Sequence, residues 1–226
     1  MLRAVILDFD GVITDSEILH LRAFNTALRG YRINISKEEY YRDYLGLTDR
    51  DLLGVLVKRG LLKADQVKID ELAEQKKENF DELFRSEGSI IDGVGGFLQL
   101  LKTNQVPAAI CSGALLGEIE GKLNRTGLNH YFEVIVAAEH VKRGKPHPDS
   151  FQLTLKKLNH GRTKLIEAGE CIVIEDSHWG LQGAKSAGMH TIAVTNSYDA
   201  EQLSMADKIV NNLKELNMGE LERLCE

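Results

Sequence analysis

Ala4-Val5-Ile6-Leu7-Asp8-Phe9-Asp10-Gly11 is a run of four apolar residues that stops on two carboxylates and a glycine. A short unbroken apolar run bounded by a turn suits a strand covered on both faces, as in a parallel sheet. Similar runs recur at 106–111, 134–137, 171–174 and 191–194. Helical patterns separate most of them: 94–102, then 115–125 ending at Gly127, 151–158 following Pro148, and 181–187 ending at Gly188. Strands alternating with helices predict a parallel α/β sheet, whose ligands collect at the carboxyl ends of the strands.

Residues 16–87 break the alternation. Leu21, Phe24 and Leu28 share one helical face, Ser36-x-x-Glu39 reads as a capping box, and Thr48-x-x-Asp51 is a weaker version of one. A further helix is predicted over about 64–84, with Leu72, Phe80 and Leu83 among its apolar positions. With no strand pattern there, the stretch reads as a helical module inserted after the first strand. Thr14-Asp15-Ser16 on one side and 88–93 on the other are turn-like and would serve as hinges. The expected organisation is a core of 1–15 and 88–226 with a helical cap of 16–87.

The bulk composition narrows the partners. Of 226 residues, 43% are apolar and 27% charged, as in an ordinary globular protein able to bury its own core. The net charge of −6, without a long basic run, argues against nucleic acid or an anionic membrane as partner. Cys111, Cys171 and Cys225 form no CxxC and read as small reduced core residues. The apolar start meets Asp8 too soon to be a signal peptide, and no stretch approaches the roughly 20 apolar residues of a membrane helix. The expectation is a soluble, cytoplasmic monomer.

Four elements carry chemistry. In Asp8-Phe9-Asp10-Gly11, residues two apart on a strand point the same way, so both carboxylates can project from one sheet edge. Close carboxylates are costly unless a proton or cation neutralises one, and Mg²⁺ suits such an oxygen-rich set. Taken alone, the motif could equally be a solvated acidic loop. Glu175-Asp176 ends a second strand and can face the first pair, although Asp176 could also cap the next helix. Ser112-Gly113 follows a third strand at the mouth of a helix, where a hydroxyl and backbone N–H groups can cradle phosphate or simply cap. Lys145, in Lys142-Arg-Gly-Lys145-Pro-His-Pro-Asp149, is stiffened by two prolines and could aim an ammonium at phosphate.

Acidic pair, Ser-Gly turn, lysine and second acidic pair, in that order, resemble the haloacid dehalogenase superfamily. The similarity is to its β-phosphoglucomutase-like branch, with a small helical cap after the first motif. Asp8-Phe-Asp10-Gly-Val-Ile-Thr14-Asp15-Ser16-Glu17 and Glu175-Asp176-Ser177…Gly180…Ala187-Gly188-Met189 carry it. The resemblance implies a Rossmann-like parallel-sheet core and a phosphotransferase in which Asp8 attacks phosphorus and becomes a transient acyl phosphate. Asp10 would protonate the leaving oxygen and then activate the acceptor. Asp8, the Asp10 carbonyl and Asp176 would hold Mg²⁺, with Glu175 as a direct ligand or one step behind. Ser112, the Gly113 N–H and Lys145 would neutralise the transferring oxygens.

In the cap, His20 matches an entry histidine of the mutase branch, and Gly46-Leu-Thr48-Asp-Arg50 resembles the loop that reaches over substrate. Arg50 stands one place later than the mutase pattern puts it, and Leu116 stands where mutases favour an amide. Both weigh against sugar-phosphate mutation. The leading expectation is a phosphatase for a small phosphorylated metabolite, a sugar phosphate by preference, with hexose-phosphate mutation second. A carbon–halogen hydrolase needs no Asp10, and a phospho-accepting signalling module must keep its phosphate, which an acid–base group at Asp10 would work against. Gly93-Val-Gly95-Gly96 lacks the lysine and hydroxyl of a phosphate loop and reads as a helix opening, while Gly180 and Gly183 read as close-packing positions.

Overall fold

The computed structural model describes residues 1–15, 17–45, 47–87 and 90–226. Ser16 and Gly88 of the expected hinges, together with Ser89 and Gly46 of the expected substrate loop, lie outside the described residues. The chain forms two compact units, Met1–Thr14 with Ile90–Glu226, and Asp15–Ser89.

The first unit is a Rossmann-like α/β core. Its sheet holds β1 (Ala4–Leu7), β2 (Ala108–Cys111), β3 (Phe132–Val136), β4 (Cys171–Glu175), β5 (His190–Val194) and β6 (Lys208–Val210). They run in the order β3-β2-β1-β4-β5-β6, every pair parallel. The strand that opens the chain is therefore central, and its carboxyl end lies between those of β2 and β4.

Alternation along β1 explains why its run is unbroken. Val5 and Leu7 enter one layer with Phe97 and Leu101 of α5 (Val94–Thr103) and Ile119 and Leu123 of α6 (Leu116–Thr126). Ala4 and Ile6 enter the opposite layer with Phe151 and Leu158 of α7 (Asp149–Leu158) and Ala184 of α8 (His178–Ser186). The strand is buried on both faces, so no position along it can be polar until it ends at Asp8. Gly93 caps α5 in the left-handed region at φ 94°, in keeping with the helix-opening reading of that glycine run. Cys111, Cys171 and Cys225 are free and buried.

The second unit consists, among its described residues, of α1 (Glu17–Leu28), α2 (Lys37–Asp43), α3 (Asp49–Lys58) and α4 (Gln66–Glu87), with a short 3-10 turn at Arg29–Tyr31. Ser36 and Thr48 cap α2 and α3 by accepting from the Glu39 and Asp51 N–H groups. Leu21, Phe24, Leu28, Leu52, Leu56 and Leu72 meet in its own core. Among the described residues, no helix is long and apolar enough to cross a membrane.

Candidate active site

The carboxyl ends of β1, β2 and β4 bring one lysine and three carboxylates together. Lys145 Nζ donates to Asp8 Oδ1 at 2.7 Å, to Glu175 Oε1 at 2.5 Å and to the Cys111 carbonyl at 2.9 Å. All three N–H donors of the ammonium have an acceptor. Asp8, Glu175 and Asp176 are buried, and each offers an oxygen within 4.8 Å of the others.

Three buried carboxylates beside one ammonium leave a local excess of negative charge. Burial, opposed by Lys145 and reinforced by Glu175, raises the Asp8 carboxyl to about 7. Burial and the neighbouring Glu175 and Asp8 charges push Asp176 well above the carboxylate range. For Lys145, burial opposes the charge, but Asp8 and Glu175 outweigh it and hold the ammonium above its usual range. A hard divalent cation at Asp8 and Asp176 is the chemistry that would remove the excess without protonating Asp8. An all-oxygen donor set fits Mg²⁺.

Glycines make room for these acids. Gly11 sits at φ +82°, and a Cβ there would lie 1.7 Å from Asp176 Oδ2. A Cβ on Gly180 would lie 1.9 Å from the Glu175 carboxyl carbon. Gly183 does pack against a helix, with Phe151 3.1 Å from its virtual Cβ. Gly180, expected to serve helix packing, clears space for a site carboxylate instead.

Glu175 is heavily used. Besides Lys145, its Oε2 accepts from the Asp176 and Ser177 N–H groups, both at 3.2 Å, and from Ser177 Oγ at 2.8 Å. It thus joins the lysine to the first turn of α8, and Ser177 rather than Asp176 caps that helix.

Asp10 is directed differently. Its Oδ1 accepts from Thr14 Oγ1 at 3.1 Å and from Lys122 Nζ, on α6, at 3.0 Å. Ser112 is buried at the end of β2, and its Oγ accepts from the Ala114 N–H at 3.0 Å, closing a tight turn. The adjoining helix begins only at Leu116. The Leu116 N–H, the first of the helix, already meets Glu139 at 3.0 Å. Any cradle at Ser112-Gly113 is therefore made by the turn, not by the helix end.

Sequence reasoning missed several supports. Ser197, after β5, donates a short hydrogen bond to Asp176 Oδ2. Asn196 Nδ2 donates to the Gly11 carbonyl at 2.7 Å. Lys122 was missed as well, since one lysine on an amphipathic helix carries no motif.

Within the helical unit, His20 and Thr48 occupy α1 and the cap of α3. His20 stacks on Phe80 with centroids 4.0 Å apart, and its Nδ1 lies 2.6 Å from Lys76 Nζ. Lys76 is buried and also donates to Asp49 at 2.7 Å. Burial pulls its ammonium below the usual lysine range, against the pull of Asp49. Arg50 is exposed and paired with Asp70 at 2.6 Å.

The family model for haloacid dehalogenase-like hydrolases matches residues 5–194, and the chain belongs to that family of enzymes. A phosphorylated carbohydrates phosphatase of Thermotoga maritima is 30% identical over 226 residues, which covers 95% of this chain and 100% of the relative. The crystal structure of β-phosphoglucomutase from Clostridium difficile is similar at a TM-score of 0.69 and 25% identity, covering 100% of this chain and 97% of that one. A hydrolase of the same family from Deinococcus radiodurans shares the fold at a TM-score of 0.83 and 24% identity, covering 99% and 97%.

Proposed function

We propose that the protein is a Mg²⁺-dependent phosphatase of a small phosphorylated metabolite, most simply a sugar phosphate, working through an aspartyl-phosphate on Asp8. The observation that carries the reading is the meeting of Asp8, Lys145, Glu175 and Asp176 at one sheet edge, with acidic oxygens within 4.8 Å of one another. The Thermotoga maritima relative, named for phosphorylated carbohydrates, supports the substrate class.

Asp8 attacks phosphorus as the bond to the leaving oxygen breaks, and Asp10 gives that oxygen a proton. Water then attacks the acyl phosphate, Asp10 takes the water proton, and inorganic phosphate leaves with Asp8 regenerated. Lys145, Ser112 and the Gly113 N–H balance charge on the transferring oxygens. Asp8, Asp176 and the Asp10 carbonyl are suited to hold Mg²⁺, with Glu175 completing the set directly or by holding Lys145 and the α8 turn in place. The cation, when bound, supplies positive charge at the phosphoryl oxygens. His20, Gly46, Thr48 and Arg50 of the helical unit are proposed to select the leaving group, a setting in which the two units would act as core and cap.

Phosphate release from a panel of phosphorylated metabolites, with Mg²⁺ and with chelator, tests the reading. Turnover of a sugar phosphate that stops in chelator is expected, and undiminished turnover in excess chelator would contradict it. The likeness to β-phosphoglucomutase keeps mutation as a second reading. Following a labelled hexose phosphate separates the two, because a mutase isomerises it while free phosphate stays flat.

A further inference from the structure

Lys122 lies on α6, 112 positions from Asp10 in sequence, yet its ammonium is 3.0 Å from Asp10 Oδ1. Ile119 and Leu123 on the same helix are buried in the core, which holds α6 against the sheet. The Lys122 ammonium lies 5.1 Å from the ring centre of Phe9, and its side chain is only 11% exposed. A lysine so enclosed has lost most of the rotamers of a surface lysine. The Thr14 hydroxyl donates to the same oxygen at 3.1 Å.

The Lys122 and Thr14 contacts both fall on Oδ1. A carboxylate oxygen has two lone pairs in its plane, and these two donors use them. A proton carried by Asp10 therefore belongs on Oδ2, and the direction of Oδ2 is set once Oδ1 is pinned.

We infer that Lys122 is a positioning residue for the acid–base step, fixing Asp10 through Oδ1 so that Oδ2 exchanges the proton. This rests on the proposed role of Asp10. Lys122 itself neither gives nor takes the proton: it stays an ammonium while Oδ2 passes its proton to the leaving oxygen and later receives one from water. A carboxyl without the Lys122 contact could turn about its terminal bond, and misplacing a reacting group by about 1 Å can cost on the order of 10²-fold in rate.

The test uses two substrates of the full-length enzyme: p-nitrophenyl phosphate, whose leaving group departs with little protonation, and the alkyl phosphate that the wild type hydrolyses fastest. Lys122→Met keeps the stem over Phe9 and removes the donor. Expected is a fall of about 10- to 100-fold in kcat/KM for the alkyl ester, no more than the lower end of what losing the acid–base group itself would cost, and a much smaller fall for the aryl ester. Lys122→Arg, which keeps a donor, should recover part of the alkyl activity. Because the readout is a ratio within one preparation, partial misfolding of a variant cancels. Asp10→Asn is measured alongside. If it shows the leaving-group dependence while Lys122→Met lowers both substrates equally, or neither, the positioning inference fails and the acid–base reading stands. If Asp10→Asn keeps wild-type rates, the acid–base reading fails and the inference with it.

Discussion

Mg²⁺ should stabilise this protein, and should do so far more at about pH 8 than at about pH 5.5. The reason is the charge excess at Asp8 and Asp176. Asp8 is raised from 3.8 to about 7, foremost by burial. A group whose folded pKa exceeds its unfolded one contributes stability below the unfolded value, and that contribution disappears as pH rises through the folded value. In the metal-free protein the loss therefore runs from about pH 4 to about pH 7 and amounts to roughly 4 kcal/mol, at about 1.4 kcal/mol per pKa unit. Asp176 is raised as well, so it acts in the same direction.

A cation that binds the ionised site opposes this loss. At a free Mg²⁺ concentration about 100 times its dissociation constant, folding gains roughly 2.7 kcal/mol. For a chain of this size each kcal/mol moves the melting temperature by about 2–4 °C, so the expected rise is roughly 5–11 °C. At about pH 5.5, protons compete for Asp8 and weaken the apparent affinity about 30-fold. The same Mg²⁺ concentration is then only about three times the dissociation constant, and the gain falls to roughly 0.8 kcal/mol, a shift of about 2–3 °C. Scanning calorimetry at both pH values, with Mg²⁺ and with chelator, measures this directly, and Asp176→Asn should abolish the shift at either pH. Equal shifts at the two pH values, or an undiminished shift in Asp176→Asn, would refute the assignment of the cation to these carboxylates.

Four substitutions probe the chemistry and its supports. Asp8→Asn should eliminate turnover because an amide is no nucleophile, and Asp10→Asn should lower it by about 10²–10⁴ while leaving Mg²⁺ binding partly intact through its carbonyl; initial rates and the Mg²⁺-dependent melting shift check the pair. Gly180→Ala places a methyl 1.9 Å from the Glu175 carboxyl carbon, so it should cost about 1–3 kcal/mol in thermal unfolding and displace the acid that holds Lys145; an unchanged melting temperature with full activity would count against that packing. Arg50→Ala should change kcat/KM for the best natural substrate more than for p-nitrophenyl phosphate, and an equal effect on both would remove the loop from substrate selection.

Four strands, β1, β2, β4 and β5, were legible because they are central and burial on both faces leaves an uninterrupted apolar run, and β3, at one edge, was legible from its apolar stretch at 134–136 although only Val136 is fully buried. The edge strand β6 (Lys208–Val210) was not. Three residues that begin with a lysine carry no such run, and a charged, short edge is what deters pairing with other sheets. The helix after β2 begins at Leu116, one place after the expected 115, but Ser112 does not cap it. Ser112 looked like a cap, but its hydroxyl bonds the N–H two residues on, and Leu115 takes the cap position of α6. A serine offers the backbone both options, and the local sequence does not choose between them.

At the site, visibility followed chain distance. Asp8, Asp10, Glu175 and Asp176 announce themselves because an acid that ends an apolar run breaks a pattern within a few residues. Lys122, Asn196 and Ser197 break none, and each becomes meaningful only where the fold sets it beside Asp10, Gly11 or Asp176. Gly180 shows the limit from the other side. Its smallness was visible, but the physical reason is a carboxylate from the end of the preceding strand, which occupies the volume that a side chain would need. Residues that perform chemistry on a parallel sheet must stand where strands stop, and the sequence marks those places. Residues that hold them need only the right position on a neighbouring helix or loop, so ordinary lysines, serines and glycines serve, and three-dimensional packing alone distinguishes them.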